Sequence, residues 1–379
     1  MRTPAAQAGA LAVLLAAGAL GPRGAEAQAG FYATPTLSVA EIYDDNLFST
    51  PTRRRRDMIS RVSPALEAGY RSAPLTVLGR YRFDAELYAE HPELNDAQAR
   101  QEGALELQSR PTPTLRLALS GAFWETQTAN ELNVATGLIV GRTRAERVSL
   151  GTTAGWRPGP RTEVTAEAEA ADDELTGGVS TRSYAAGARV ERELTARDTG
   201  RVGYTFRRFV FDGDEASTSQ AVLVGWRRAL TPRTTLEVEA GPRRSDGSFD
   251  PEVSGSLRHR LRAGELALAY ARTEGTSIGQ AGTLTIESLT GLATWEPRRS
   301  LRLRAAPSVV RVEQARREAM VYGLGLEASY QVTRVVALEA AYGFTLQRGG
   351  TAPTTPPDEE ITRNVVLLRI TFASTYRLH

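Results

Sequence analysis

The chain has 379 residues, with 46 basic and 44 acidic side chains, a formal net charge of +2 and no cysteine. The lack of cysteine excludes disulfides, thiolate metal sites and a lipid-modified N-terminal cysteine, and the balanced charge argues against a nucleic-acid partner. The length would suit roughly two or three soluble domains, but the hydropathy pattern is uniform from about residue 30 onward, which favours one domain.

Residues 1–29 have the pattern of a secretory signal peptide. Arg2 precedes an apolar run from Ala8 to Leu20, and small residues allow cleavage after Ala27 or Ala29. The alternative, an uncleaved anchor, is disfavoured because the run is shorter than the roughly 20 residues that a spanning helix needs. No second apolar stretch of that length follows, so a helical inner-membrane protein is excluded. We predict a signal peptide at 1–29 and one exported domain at 30–379.

From Phe31 onward, apolar and polar residues alternate in runs of about ten residues or more, as in long β-strands. In the clearest run the two faces separate cleanly: Leu75, Val77, Gly79, Tyr81, Phe83, Ala85 and Leu87 lie on one, and Thr76, Arg80, Arg82, Asp84 and Glu86 on the other. About eighteen such runs are centred near residues 38, 65, 81, 103, 120, 151, 167, 187, 205, 224, 239, 257, 268, 290, 306, 325, 341 and 368. An even number is typical of bacterial single-chain barrels.

The connections between the runs alternate between short and long. Short turns fall at 71–74, 111–114, 158–161, 195–198, 231–234, 262–265, 296–300 and 332–335, and longer polar segments at 48–57, 89–98, 211–218, 243–252 and 348–360. Periplasmic turns and extracellular loops alternate in this way. We therefore predict an all-β fold, a transmembrane antiparallel up-and-down β-barrel of about 18 strands in the outer membrane, with both termini periplasmic.

A soluble β-sandwich or β-solenoid is the alternative fold. Soluble strands usually have about five or six residues, and their sheet edges need protection. The runs here are about twice as long, and their polar faces carry too many charges for a sandwich core, whereas the interior of a wide barrel can hydrate them.

Aromatic residues recur at two heights on the predicted lipid-facing side. One set lies a few residues before the short turns, and the other lies about eight residues farther along the strands, a climb of about 20 Å. Two such belts are expected at the two membrane interfaces. The first set is Tyr70, Trp156, Trp226, Trp295 and Tyr330, and the second is Phe83, Phe123, Phe206 and Phe344.

The polar faces predict a charged pore lining. Acidic and basic residues cluster on different strands, which predicts a transverse field across a pore; in the alternative, opposite charges on neighbouring strands pair and stiffen the wall. The predicted lining residues are Arg80, Arg82, Asp84, Glu86, Arg100, Glu102, Glu106, Glu163, Glu167, Glu169, Arg189, Glu191, Glu237, Glu239, Arg258, Arg260, Arg262, Arg302, Arg304 and Arg369.

Two of the outer loops invite specific hypotheses. The longest, at about 125–143, contains Leu138, Ile139 and Val140, and loops of this length are often functional. We predict that it folds into the pore and narrows it; the alternative is a surface loop. Arg53–Arg56 in the first outer loop could pair with lipopolysaccharide phosphates or an acidic polymer, or could simply be hydrated.

The first run ends in the sequence EIYDDNLF at 41–48. With the leader and the strand pattern, and chiefly through Tyr43, Asp44, Asp45 and Asn46, the chain resembles the β-barrel porin 2 family of outer-membrane proteins over 31–372. The resemblance implies a porin, and for some members an outer-membrane conduit linked to exopolysaccharide or capsule export. From the residues alone, Asp44, Asp45 and Asn46 are typical of a strand-to-loop junction, with a Ca²⁺ site as the less favoured alternative.

We predict no enzyme, cofactor or metal. The histidines are His91, His259 and His379, and they form no constellation with serine and an acid in one lumen. The favoured function is a porin-like channel for hydrophilic solutes; a plugged structural or adhesive barrel and a barrel enzyme are the alternatives. The expected partners are outer-membrane lipid and lipopolysaccharide, the barrel-assembly machinery and polysaccharide export components.

Overall fold

The computed structural model describes residues 30–213, 215–315, 317–351 and 359–378. The predicted signal peptide lies outside these residues. Among them, no helix is long and apolar enough to cross a membrane.

The described chain is almost entirely β-strand, and successive strands are antiparallel neighbours. The first and last long strands also pair, from Thr36↔Ala373 to Asp44↔Val365, so the sheet closes into an 18-strand barrel, as the alternation predicted. The strands are β1 Gly30–Asp44, β2 Asp57–Arg71, β3 Leu75–Tyr88, β4 Asp96–Thr112, β5 Leu115–Thr126, β6 Ala145–Gly159, β7 Thr162–Leu175, β8 Thr181–Glu193, β9 Asp198–Phe211, β10 Ala216–Thr231, β11 Thr234–Ser245, β12 Ser248–Leu261, β13 Gly264–Gly275, β14 Leu284–Arg298, β15 Leu301–Gln314, β16 Arg317–Gln331, β17 Val336–Gly349, β18 Glu360–Ala373 and the short β19 Tyr376–Leu378, which pairs with β1.

Each strand has one apolar face outside and one polar face inside. On β3, Tyr81 and Leu87 are 45% and 60% exposed, whereas Asp84 and Glu86 are 1% and 5% exposed. Because directly paired residues share a face of a sheet, the register carries this assignment around the barrel. The last strand, β18, likewise exposes Leu368 and Phe372 on the outside.

The two barrel ends differ in their connections. One end has turns of a few residues between strands, for example 113–114 and 160–161, and the other has the longer loops 45–56, 89–95, 127–144 and 276–283, and also the connection from Gly349 of β17 to Glu360 of β18. The first end is the periplasmic one by the usual rule for such barrels, and the second is the outer end.

Two predicted loops differ from the structure. The connection predicted at 211–218 is only 212–215, because β10 begins at Ala216. Residues 243–252 are not a long segment: β11 and β12 extend through them, and only Asp246 and Gly247 form the turn. Their φ angles of 46° and 92° are those of a two-residue hairpin turn, which Asp-Gly favours. The polar residues on either side belong to the strands.

Candidate functional site in the barrel lumen

The inner wall carries the predicted lining residues. By register, those that lie on strands share the inner face with Asp84. Arg262 is different, because it lies in the periplasmic turn 262–263 between β12 and β13.

Most inner charges are paired with charges on neighbouring strands. Arg80 contacts Glu106 at 2.5 Å, and Arg82 contacts Glu102 at 2.9 Å. Around Asp84 the pairing becomes a network, since Arg61, Arg82 and Arg100 lie 3.6–3.7 Å from its carboxylate. These pairs agree with the alternative in which neighbouring charges stiffen the wall.

Another sector of the wall is acidic. Arg201 on β9 faces Glu191, Glu237 and Glu239, at N···O distances of 2.5–3.0 Å. On β7, Glu167 and Glu169 have no ion pair or hydrogen bond with any side chain in the described ranges. Glu191 has a second partner, Arg227, at 3.2 Å. Carboxylates still outnumber the arginines that contact them here, and this excess is the feature that would produce a transverse field.

The longest outer loop, 127–144, begins at the wall formed by β5 and β6 and turns into the lumen. Arg100 on β4 forms an ion pair with Glu131 in the loop, with one N···O distance of 2.9 Å. The Thr126 hydroxyl donates to the same carboxylate at 2.8 Å. Arg142, at the other end of the loop, donates to the Tyr88 hydroxyl at 2.6 Å and lies 3.9 Å from Glu86.

The tip of this loop reaches the opposite wall. Leu138, 2% exposed, packs in an apolar cluster with inner-face residues of β14, β15 and β16, on the far side of the closed sheet from β5 and β6. The Ile139 amide donates to the Gln347 side chain on β17 at 2.7 Å. The loop therefore crosses the lumen, and we call it the crossing loop. The wall residues of the cluster are Leu284, Ile286, Val310, Val312, Ala319 and Val321.

Other outer loops contact the crossing loop. The Asn133 side-chain oxygen accepts hydrogen bonds from the Ile278 amide at 3.0 Å and the Ser277 hydroxyl at 3.4 Å, both in loop 276–283. Asn130 donates to Ser49 in loop 45–56 at 3.4 Å. The loops thus meet over the outer mouth of the barrel.

The apolar patch that receives Leu138 was missed by the sequence reasoning. It lies at the outer ends of β14–β16, where apolar residues occupy both faces, as in Val309, Val310 and Val312. A break in the polar–apolar alternation was the available signal, because a wall exposed to water would carry polar residues there.

The EIYDDNLF motif joins the first and last long strands. Asp44, 1% exposed, accepts hydrogen bonds from Arg363 on β18 and from the Asn46 amide at 3.0 Å. Asp45 accepts two from Asn364, both at 2.6 Å. The Asn46 side chain donates a hydrogen bond to the Thr362 carbonyl and accepts one from the amide of Thr50 in the first outer loop. The two carboxylates accept hydrogen bonds from protein donors, and the Asn46 side-chain amide both donates to and accepts from the backbone, as expected for a strand-to-loop junction.

The aromatic sets lie on the outer face by register. Trp156, Trp295 and Tyr330 are about half exposed near the periplasmic end. Trp226 donates its indole N–H to Asp198 at 3.1 Å. Phe83, Phe123, Phe206 and Phe344 lie on the same outward side of β3, β5, β9 and β17.

The histidines do not build a catalytic group. His91 Nδ1 lies 2.7 Å from Asp57, whose carboxylate also accepts the amides of Met58, Ala89 and Glu90. His259 faces outward and contacts the Thr234 hydroxyl at 2.9 Å. Within the described ranges, no group of three or more His, Asp or Glu residues could hold a metal ion.

No family model and no curated protein matches the chain. It is similar in structure to OccAB4 of Acinetobacter baumannii, at 9% identity and a TM-score of 0.51, over 93% of this chain and 100% of that one. The similarity to OccK3 (OpdO) of Pseudomonas aeruginosa has 11% identity and a TM-score of 0.50, and it covers 91% of this chain and 96% of that one. The similarity to the siderophore receptor PirA of Pseudomonas aeruginosa has 10% identity and a TM-score of 0.45, and it covers 90% of this chain and 80% of that one. The first two likenesses show the fold alone, an outer-membrane type of β-barrel, and this fold supports an outer-membrane location.

Proposed function

We propose that the protein is an outer-membrane channel for small hydrophilic solutes, and that the crossing loop sets the width of its passage. The proposal rests on one observation: the inner wall of the barrel is charged, and the crossing loop spans the lumen at its outer end. Ionised groups facing inward need water, so the barrel interior must be hydrated below the crossing loop.

The contacts of the crossing loop favour small solutes over a polymer. It is held at the near wall by Arg100 and Arg142 and at the far wall by Leu138, so it cannot swing aside without breaking one set. Loops 45–56 and 276–283 touch it as well. A channel therefore requires a passage between the crossing loop and the wall.

Export of an exopolysaccharide or capsule polymer is a second proposal. It is supported by the resemblance through Tyr43, Asp44, Asp45 and Asn46. In that case the crossing loop must leave the lumen while the polymer passes. A plugged structural or adhesive barrel is the third possibility, in which the crossing loop and its neighbours seal the mouth permanently.

The test uses an engineered disulfide to hold the crossing loop against the far wall. A Cβ atom placed on Gly137 would lie 3.8 Å from Cβ of Val321, and disulfides have Cβ atoms about 3.8 Å apart. The chain has no cysteine that could form a competing bond. Gly137 has φ of 63°, so Gly137→Cys should cost about 1–2 kcal/mol in strain.

Single-channel currents in planar bilayers are then compared for the wild type, Gly137→Cys/Val321→Cys and a deletion of 128–141. We expect steady conductance from the wild type, similar conductance with less current noise from the oxidised variant, and larger conductance from the deletion. The two single-cysteine variants are the controls. If the wild type and the deletion are both silent, the channel function is wrong; if they conduct equally, the crossing loop does not set the width.

A further inference from the structure

A cluster of arginines lies on the outer rim of the barrel, at the end of the first hairpin. Arg53, Arg54, Arg55 and Arg56 are all exposed and follow one another in loop 45–56, directly before β2 begins at Asp57. We call these four residues the arginine rim. Nothing in the channel mechanism uses them.

The arginine rim is held in place by the loop that carries it. The Leu47 amide donates to the Arg55 carbonyl at 2.8 Å, and Leu47 packs inside the barrel with Ile42 and Ile59. The guanidinium of Arg55 lies 6.0 Å from the centre of the Phe48 ring. The arginines are therefore presented by a packed loop and do not lie on a free segment.

Three of the four charges of the arginine rim have no carboxylate partner among the described residues. Arg56 lies 3.6 Å from Glu90, and both side chains are well exposed. Arg53, Arg54 and Arg55 have no carboxylate within 4.0 Å in the part of the chain that the structure describes. The nearby carboxylate of Asp45 is already bound to Asn364. Adjacent cations repel one another, so an anion at this place would be stabilising.

Arg54, Arg55 and Arg56 line a cavity of about 500 Å³, together with Tyr43, Asp45, Glu90 and His91. Tyr43 is paired with Met58, which is 46% exposed on the outer wall. The cavity therefore begins where the apolar outer wall ends, at the outer end of the barrel. Since the apolar outer wall faces lipid tails, a site at its outer end faces the headgroups of the outer leaflet.

We propose that Arg54, Arg55 and Arg56 bind a phosphate of a lipid in the outer leaflet, with the lipid A part of lipopolysaccharide as the occupant. Guanidinium groups bind phosphate through paired, charge-assisted hydrogen bonds. The site rests on the outer-membrane location and is independent of whether the barrel conducts.

The experiment measures binding of bisphosphorylated lipid A to the full-length mature protein in detergent by native mass spectrometry. The variants are Arg54→Gln/Arg55→Gln and a matched control, Arg298→Gln/Arg299→Gln, which removes two charges near the periplasmic turn 299–300. We expect the first variant to bind at least about ten-fold more weakly, the loss of about one charge-assisted hydrogen bond. The control should bind like the wild type, and lipid A without phosphate should bind the wild type no better than the first variant.

The variant Arg54→Lys/Arg55→Lys keeps the charge and should bind with intermediate strength, because lysine cannot form the paired hydrogen bonds. Equal binding by the wild type and Arg54→Gln/Arg55→Gln overturns the proposal, as does equal binding of lipid A with and without phosphate. Full displacement of the lipid by inorganic phosphate at an equal concentration would also overturn it, because the site would then recognise the free ion.

Discussion

At the scale of residues, a few short polar side chains fix the geometry of the outer rim. Asp44 and Asn46 are almost fully buried although both are polar, and each is bound to β18. Arg363, the partner of Asp44, has a side chain only 19% exposed. A buried ion pair of this kind is costly to break from one side, because the remaining charge has no partner.

We therefore expect Asp44→Ala to destabilise the barrel by about 2–4 kcal/mol. The matched control is Glu360→Ala, which removes an exposed carboxylate on β18, 3.0 Å from Arg348 on β17. An exposed pair is worth at most about 1 kcal/mol. Urea unfolding, followed by tryptophan fluorescence, gives both values. If the two variants lost the same free energy of unfolding, the buried Asp44–Arg363 pair would contribute no more than an exposed pair.

At the scale of elements, the crossing loop depends on ionised groups at its near wall. Burial by itself would raise the pKa of Glu131, but the Arg100 guanidinium beside it, helped by the Thr126 hydroxyl, holds the pKa below its ordinary value. A carboxyl group with a lowered pKa stabilises the structure at pH values above its unfolded pKa, about 4.3. That stabilisation is lost as the pH falls through the lowered, folded-state pKa.

Acidification below about pH 4 should accordingly loosen the crossing loop. We expect single-channel conductance and current noise to rise between pH 6 and pH 3. The oxidised Gly137→Cys/Val321→Cys variant should show a smaller rise, since its crossing loop is tied to the far wall. A rise of the same size in both proteins would place the titrating groups elsewhere in the barrel.

The sequence predicted the strands better than the loops, for a physical reason. Alternation identifies the two faces of β3 because lipid and water select opposite residue types at Leu87 and Glu86. The turn at Asp246–Gly247 was hidden because its polar neighbours also suit an inner wall. At 125–143 the sequence left a loop in the pore and a surface loop both open. The packing of Leu138 in the cluster on β14–β16 could not be predicted, because alternation does not show which inner surface receives a loop.

At the scale of the whole molecule, the inner charges are distributed unevenly around the lumen. The sector around β7 to β11 is acidic, with Glu167 and Glu169 unpaired within the described ranges and Arg201 facing three glutamates. In a water-filled passage with low-dielectric walls, such a sector raises the local concentration of cations.

We expect the channel to prefer cations, with a potassium permeability about two- to five-fold that of chloride at low salt, falling as salt screens the wall. Glu167→Gln/Glu169→Gln should reduce the preference. The control, Glu318→Gln/Glu360→Gln, removes two carboxylates from the outer face of β16 and β18 and should leave it unchanged. Reversal potentials in a KCl gradient give the ratio of potassium to chloride permeability for all three proteins. A preference for chloride in the wild type would contradict the expectation.

The junction between β1 and β18 also bears on the order of assembly. The Asp44–Arg363 contact joins positions 319 residues apart in the chain. The edge of β1 that pairs with β18 therefore stays unpaired until the last long strand is in place, and an unpaired edge can pair with strands of other proteins. A chain that ends before β18 therefore keeps two unpaired sheet edges and cannot close into a barrel.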